Sequence, residues 1–228
     1  MLDIGCGDGK VTAAIAGLLP WGDVTGIDIS EDMVQLAQQS YPPEAFPNLH
    51  FQQEDASHLP FKDEFSTVFS NATLHWLRNP LPALLGIAKS LKNGGKTLLQ
   101  MGGTGNAAEI VRLLDRQIHS RQWAAYFDSF SFPYGFYGAR EYRNWLGEAG
   151  LKPSRVELIR KDMVHPNPAG LTGWLRTTWF PYSQQVPEMQ RAAFLDELVS
   201  SYLMEHPVDE QGQTHVQMIR LEVEAIKL

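Results

Sequence analysis

Leu2-Asp3-Ile4-Gly5-Cys6-Gly7-Asp8-Gly9 opens the chain, and Val24-Thr25-Gly26-Ile27-Asp28 closes a second apolar run soon after it. The first stretch reads as a short strand that carries an acid and ends in a turn with glycines at G-x-G-x-G spacing, with a helix opening behind them. Glycine accepts positive φ and has no Cβ, so a bulky ligand can lie against bare backbone at the mouth of a helix. Asp28 ends the second run where a ribose hydroxyl pair finds an acceptor.

The spacing is not that of a dinucleotide site. The fingerprint G-x-G-x-x-G/A counted from Gly5 puts its third small residue at Lys10, and counted from Gly7 at Thr12. A carboxylate at Asp3, where dinucleotide binders carry an apolar side chain, attracts an ammonium and repels a phosphate. The residues therefore favour a nucleoside bearing a charged amine.

Strand and helix signals alternate over residues 1–101. Strands are expected at 1–4, 24–28, 50–53, 67–71 and 96–101. Helices are expected over 9–19, over 31–39 behind Ser30 as N-cap, and from Pro80 or Pro82 to Leu91. This pattern predicts an α/β fold, a doubly wound and mostly parallel sheet with helices on both faces. Ligands in such sheets bind beyond the carboxyl ends of the strands, where Asp3, Asp28, Asp55 and Asn71 all fall. After Gly102-Gly103 the chain becomes helical and aromatic. A helix is expected over 139–149, a strand over 155–164, a helix over 187–205 and a final strand over 215–226. We read one domain, 1–228, with a ligand-binding core at 1–104 and two insertions, 105–137 and 166–213, forming a lid over the substrate.

The chain resembles the class I S-adenosylmethionine-dependent methyltransferases. The glycine turn is followed, in the family's order, by Val24–Ser30 as second strand, Gln53-Glu54-Asp55-Ala56 as the end of the third, and Phe69–Trp76 as the fourth strand and its loop. Leu91-Lys92-Asn93-Gly94-Gly95 then resembles the turn before strand five, with Asn93 in the usual proline's place. The resemblance implies a seven-stranded Rossmann-like sheet whose last strand runs antiparallel between strands five and six. It implies S-adenosyl-L-methionine as cofactor, with Asp3 orienting the ammonium, Gly5, Cys6, Gly7 and Gly9 forming the cradle, and Asp28 and Ile29 at the ribose. Met33, Asp55 and Ala56 would meet the adenine, and the backbone of Asn71 and Ala72 the methionine end. His75, as base or hydrogen-bond partner, and Trp76, as a wall to the sulfonium, are the expected catalytic residues. Arg176 is the expected grip on an acceptor carboxylate, ahead of Arg78, Arg140 and Arg143.

Asn71–Leu77 and the Trp174-Leu175-Arg176 segment are most like the trans-aconitate methyltransferase group, which implies a small-molecule acceptor and a carboxylate oxygen. Members usually carry further residues before strand one, so a chain in which that strand starts at Met1 is expected to be short by nature or truncated.

Net charge is −7, and no cluster of lysines or arginines offers a nucleic-acid face. The single cysteine, Cys6, gives no disulfide framework and no thiol set for a metal, and no metal is expected. No apolar run reaches the ~20 residues of a membrane span, and no signal peptide is expected, since Met1 opens into the first strand. A cytoplasmic protein without membrane or nucleic-acid partner is expected. The reading from another class is a non-catalytic domain of the same fold that serves as a binding or regulatory partner.

Overall fold

The computed structural model describes residues 1–228. In chain order the elements are β1 (Leu2–Ile4), α1 (Lys10–Leu18), β2 (Val24–Asp28), α2 (Glu31–Ser40), β3 (Leu49–Gln53), β4 (Phe65–Asn71), α3 (Leu81–Ser90) and β5 (Leu91–Gly102). They continue with α4 (Ala108–Ile118), α5 (Ala139–Glu148), β6 (Leu151–His165), α6 (Pro168–Thr178), α7 (Phe180–Ser183), α8 (Glu188–Glu205) and β7 (Thr214–Lys227). Single 3-10 turns lie at Ala56–His58, Leu74–Trp76 and Ala124–Tyr126.

The seven strands form one sheet in the order β3-β2-β1-β4-β5-β7-β6. β1 pairs in parallel with β2 and β4, β2 with β3, and β4 with β5, whereas β7 runs antiparallel to β5. The α/β fold, the mostly parallel sheet and the late antiparallel strand are as the sequence led us to expect.

The chain divides into two compact units. The first holds Met1–Thr104, Tyr134–Ile159 and Arg220–Leu228, and the second Gly105–Pro133 and Arg160–Ile219. In the first, β1 is flanked by strands on both edges, and all three of its residues are buried, the acid Asp3 included. Leu2 and Ile4 join a core with Ile27, Val68, Leu84 and Leu99. Asp3, between them, points to the other face of the sheet, because strand side chains alternate.

Local chemistry explains most boundaries. Ser30 caps α2, its Oγ accepting from the Met33 amide at 3.3 Å, and Glu31 and Asp32 follow in the first turn, where the helix dipole favours acids. β5 extends further back than the sequence indicated, because Leu91 already pairs with Phe65 before a register shift brings Lys96 opposite Thr67. β6 and β7 are also longer than expected and are laced by Arg155, which bridges Glu222 at 2.7 Å and Glu224 at 2.8 Å.

In the second unit α6 and α7 were not foreseen. Gly170 and Gly173 mask the helical pattern of α6, yet Asn167 caps it, its Oδ1 accepting from the Gly170 amide at 2.9 Å, and Pro168 fills the first turn. Much of the aromatic density of the insertions builds this unit's own core. Trp123 meets Phe194 edge-on at 5.2 Å, Phe127 stacks on Phe194 at 5.7 Å, and Trp123 Nε1 donates to Glu197 at 2.8 Å.

Candidate functional site

The glycine turn sits in the first unit at the carboxyl ends of β1 and β2. The Gly5 and Cys6 amides donate to the Ile27 carbonyl at 2.8 and 2.9 Å, which ties the turn to β2. The Gly7 amide donates to Asp28 Oδ2 at 3.0 Å, and the Ser30 amide donates to Oδ1 at 2.9 Å. Both carboxylate oxygens are thus held by backbone, and each keeps acceptor capacity for a further donor.

Gly5, Gly7 and Gly9 all take positive φ, but for different reasons. A Cβ on Gly5 would stand 2.0 Å from Thr73 Oγ1, and one on Gly9 would stand 2.6 Å from the Phe51 ring, so these two serve internal packing. A Cβ on Gly7 would meet nothing within 4 Å. Of these three, only Gly7 bares its backbone to open space.

Asp3 is 2 % exposed and accepts from Thr12 Oγ1 at 2.6 Å. Burial raises its pKa to about 6; the Thr12 bond opposes the shift and the Asp28 charge adds to it. The site thus holds a buried acid that is half-ionised only at about pH 6, and a neighbouring cation would favour its charged form. Cys6 is buried, with its thiol pushed up to about 12 by burial and by Asp3 and Asp28, so it offers backbone and not a nucleophile.

The neighbouring loops carry the other expected residues. Ile29 and Met33, beside Asp28, are large apolar side chains left exposed. Asp55 caps its own turn: Oδ1 accepts from the Ser57 amide at 2.8 Å, Oδ2 lies 3.0 Å from His58 Nδ1, and these bonds lower its pKa. Ala56 begins that turn. Asn71 ends β4, and Ala72 follows at φ 57°, a strained angle for a residue with a Cβ. The Ala72 amide is held by the Gln100 carbonyl at 2.8 Å, and Thr73 Oγ1 lies 3.3 Å from the Gly5 carbonyl and 3.2 Å from that of Asn71. The ends of β1 and β4 are thereby joined.

His75 lies in an aromatic nest of Trp76, Tyr134 and Phe136, with ring centroids 5.8, 6.1 and 5.9 Å away. Burial pushes its pKa down to about 4. Its Nδ1 accepts a long bond from the Gly102 amide at 3.5 Å, which leaves Nε2 as the protonated nitrogen of the neutral ring. A base this weak does little proton abstraction at neutral pH, whereas an N–H donor remains available.

All the expected cofactor residues, with His75 and Trp76, belong to the first unit, and Arg176 belongs to the second. There Arg176 lines a cavity of about 400 Å³ with Arg191, Thr172 and Gln184. Of the other arginines considered, Arg143 is spent on the Val156 carbonyl at 2.7 Å and Arg140 lies 3.9 Å from Glu141. Sequence reasoning passed over Thr12, Thr73 and Arg191. A hydroxyl one helical turn behind the glycine turn and another just after β4 were the available signals for the first two; nothing local marked Arg191. It also passed over the close approach of Glu109, Glu205 and His206, whose carboxylates both pair with Arg112.

A methyltransferase domain family matches residues 2–99. Trans-aconitate 2-methyltransferase of Escherichia fergusonii is 28% identical over 222 residues, covering 96% of this chain and 82% of that protein. The chain belongs to the class I S-adenosylmethionine-dependent methyltransferases. The enzyme of the same name from Escherichia coli O139:H28 is 27% identical over 229 residues, 99% of this chain and 85% of that one. Among solved structures, the YcgJ protein of Bacillus subtilis superposes with TM-score 0.64 at 18% identity, over 99% of this chain and 90% of that one, a likeness of fold. As a member of this class the chain is an S-adenosylmethionine-dependent methyltransferase. No helix is long and apolar enough to cross a membrane.

Proposed function

We propose that this methyltransferase esterifies a carboxylate of a small organic acid, holding S-adenosylmethionine across the carboxyl ends of β1, β2 and β4. The observation that carries the cofactor half is the Gly7 and Asp28 pair: a carboxylate pinned at both oxygens beside the one glycine of this turn whose Cβ position is open. On this reading Asp28 accepts the ribose hydroxyls. Asp3 draws the ammonium, and the turn of Gly5, Cys6, Gly7 and Gly9 forms the cradle, with Gly5 and Gly9 shaping it by their packing and Gly7 facing the methionine portion. Ile29 and Met33 cover the adenine with apolar surface otherwise left in water. Asp55 and Ala56 border the adenine, and Asn71 with Ala72 borders the methionine end. The bound cofactor supplies an electrophilic methyl group on a sulfonium.

The acceptor half rests on His75 and on the relatives. A carboxylate brings its own lone pair and loses no proton when it is methylated, so the site needs alignment and exclusion of water, not a base. A neutral His75 suits that requirement: its Nε2–H can hold the acceptor oxygen, and the rings of Trp76, Tyr134 and Phe136 exclude water around it. Within the second unit, Arg176 and Arg191 line a cavity that also holds Asp196, and their guanidinium groups suit a carboxylate. Two similar proteins named for trans-aconitate, an acid, agree with this choice.

The test is calorimetric titration with S-adenosylhomocysteine, followed by an acceptor screen that starts with small polycarboxylates and includes alcohols, amines and phenols. One micromolar site per chain and ester formation on an acid are expected. Turnover confined to amines or phenols would overturn the carboxylate reading.

A further inference from the structure

A second cavity, of about 410 Å³, lies wholly within the second unit, away from the Arg176 cavity in its lining. Its walls are aromatic: Phe127, Phe130 and Phe132 from the segment after α4, and Tyr182 from α7. Phe130 stands edge-on to Phe127 at 5.3 Å and tilted against Tyr182 at 4.6 Å, so the rings present faces in several directions. Two carboxylates, Asp115 and Asp128, also line it, and no lysine or arginine does. His119 and Tyr182 are the other titratable groups there, His119 with its Nδ1 3.7 Å from the Asp115 carboxylate and 2.7 Å from the Asp115 carbonyl. Asp128 makes no ion pair. Asp115 is near enough to Tyr182 to help burial push that phenol up.

Ring faces are electron-rich and attract a cation that water solvates poorly, and carboxylates add charge of the complementary sign. The volume is that of a small-molecule pocket. The geometry points to a binding site for a small organic ammonium, of the tertiary or quaternary kind, formed by Phe127, Phe130, Phe132 and Tyr182 with Asp115 and Asp128. A small acid is repelled by the same pair of carboxylates, so this pocket and the Arg176 cavity select ligands of opposite charge. The inference stands on the second unit alone and does not depend on how the first unit holds its cofactor.

Choline and its uncharged carbon isostere, 3,3-dimethylbutan-1-ol, separate the charge from the shape. The experiment is calorimetric titration of the full chain with each, with and without saturating S-adenosylhomocysteine. Choline is expected to bind one site with Kd below about 1 mM, and the isostere at least about tenfold more weakly. The Asp115→Asn/Asp128→Asn double variant, altered only at exposed side chains, should weaken choline at least about threefold, and Phe130→Leu at least about fivefold. S-adenosylhomocysteine should leave choline affinity unchanged. No choline binding at 10-fold above about 1 mM, equal binding of the isostere, an unaffected double variant, or displacement by S-adenosylhomocysteine each overturns the proposal. Displacement would place the cation at the sulfonium end of the first unit instead. Should Phe130→Leu fail to fold, the double variant still decides. Loss of S-adenosylhomocysteine binding, read in the same titrations, bears on the Asp3 and Asp28 reading and leaves this one intact.

Discussion

The Gly7 amide and the Asp28 carboxylate meet at 3.0 Å, joining the turn after β1 to the end of β2. The bond fixes one rim of the candidate cofactor site before any ligand arrives, with the acid already oriented by the Ser30 amide on its other oxygen. Asp28→Ala removes the acceptor and frees both amides. Affinity for S-adenosylhomocysteine should fall by about 1–3 kcal/mol, roughly 5- to 150-fold, the usual cost of stranding hydrogen-bond partners. Calorimetry reads it, and unchanged affinity would remove Asp28 from the site.

Gly5 and Gly7 should respond oppositely to the same methyl group. Gly7→Ala has room for its Cβ, so it should fold at a cost of about 1–2 kcal/mol for the left-handed backbone angle and weaken cofactor binding at least about tenfold. Gly5→Ala drives its Cβ into Thr73 and should show its main effect in the melting temperature. If Gly7→Ala binds as the parent chain does, the ligand does not approach this backbone.

Asp3 gives the binding a pH dependence of known sign. Its pKa of about 6 means that below pH 6 an ammonium meets a neutral acid, so S-adenosylhomocysteine affinity should drop by up to about tenfold per pH unit there and level off above pH 7. The unliganded fold follows the reverse order. A carboxyl whose folded pKa is raised costs stability as pH climbs from about 4 to about 6, up to about 3 kcal/mol once fully ionised. Asp3→Asn, which can still accept from Thr12, should therefore melt higher than the parent at pH 7.5 and alike at pH 4. A variant that melts lower at pH 7.5 would mean that Asp3 is not the strained acid described.

His75 should titrate far from neutrality. Its pKa of about 4 keeps the ring uncharged, so kcat should show no limb near pH 6.5 from this residue. His75→Gln, which keeps an N–H donor, should lose less kcat than His75→Leu, while both bind S-adenosylhomocysteine as before. Equal losses in the two variants would leave His75 a packing residue of its aromatic nest. In acid the same depressed pKa makes the fold lose stability as pH falls from about 6.5 to about 4, opposing the contribution of Asp3 across that window.

Arg176→Gln should raise acceptor KM at least about tenfold with cofactor affinity unchanged, as expected when a charge-assisted pair to a carboxylate is lost. Arg191→Gln should act in the same direction, because it lines the same cavity. Steady-state kinetics with the acid found in the acceptor screen checks both.

The sequence by itself determined the sheet and the position of the glycine turn. Short apolar runs alternating with helical segments leave few ways to bury β1 on both edges, and Gly5, Gly7 and Gly9 mark backbone angles that other residues adopt at a cost. Tertiary structure alone decided what each of those residues is for. Gly5 and Gly9 make room for Thr73 and Phe51, while Gly7 faces open space, a distinction that requires residues far apart in the chain. The same holds for the acidity of Asp3 and the neutrality of His75: a pKa is set by burial and by neighbours such as Thr12, Tyr134 and Phe136, which sequence spacing does not bring together. α6 shows the converse. Its cap at Asn167 and Pro168 is local, but the glycines within it weaken the helical pattern, and the buried face formed by Leu171 and Leu175 supplies the stabilisation that propensity does not.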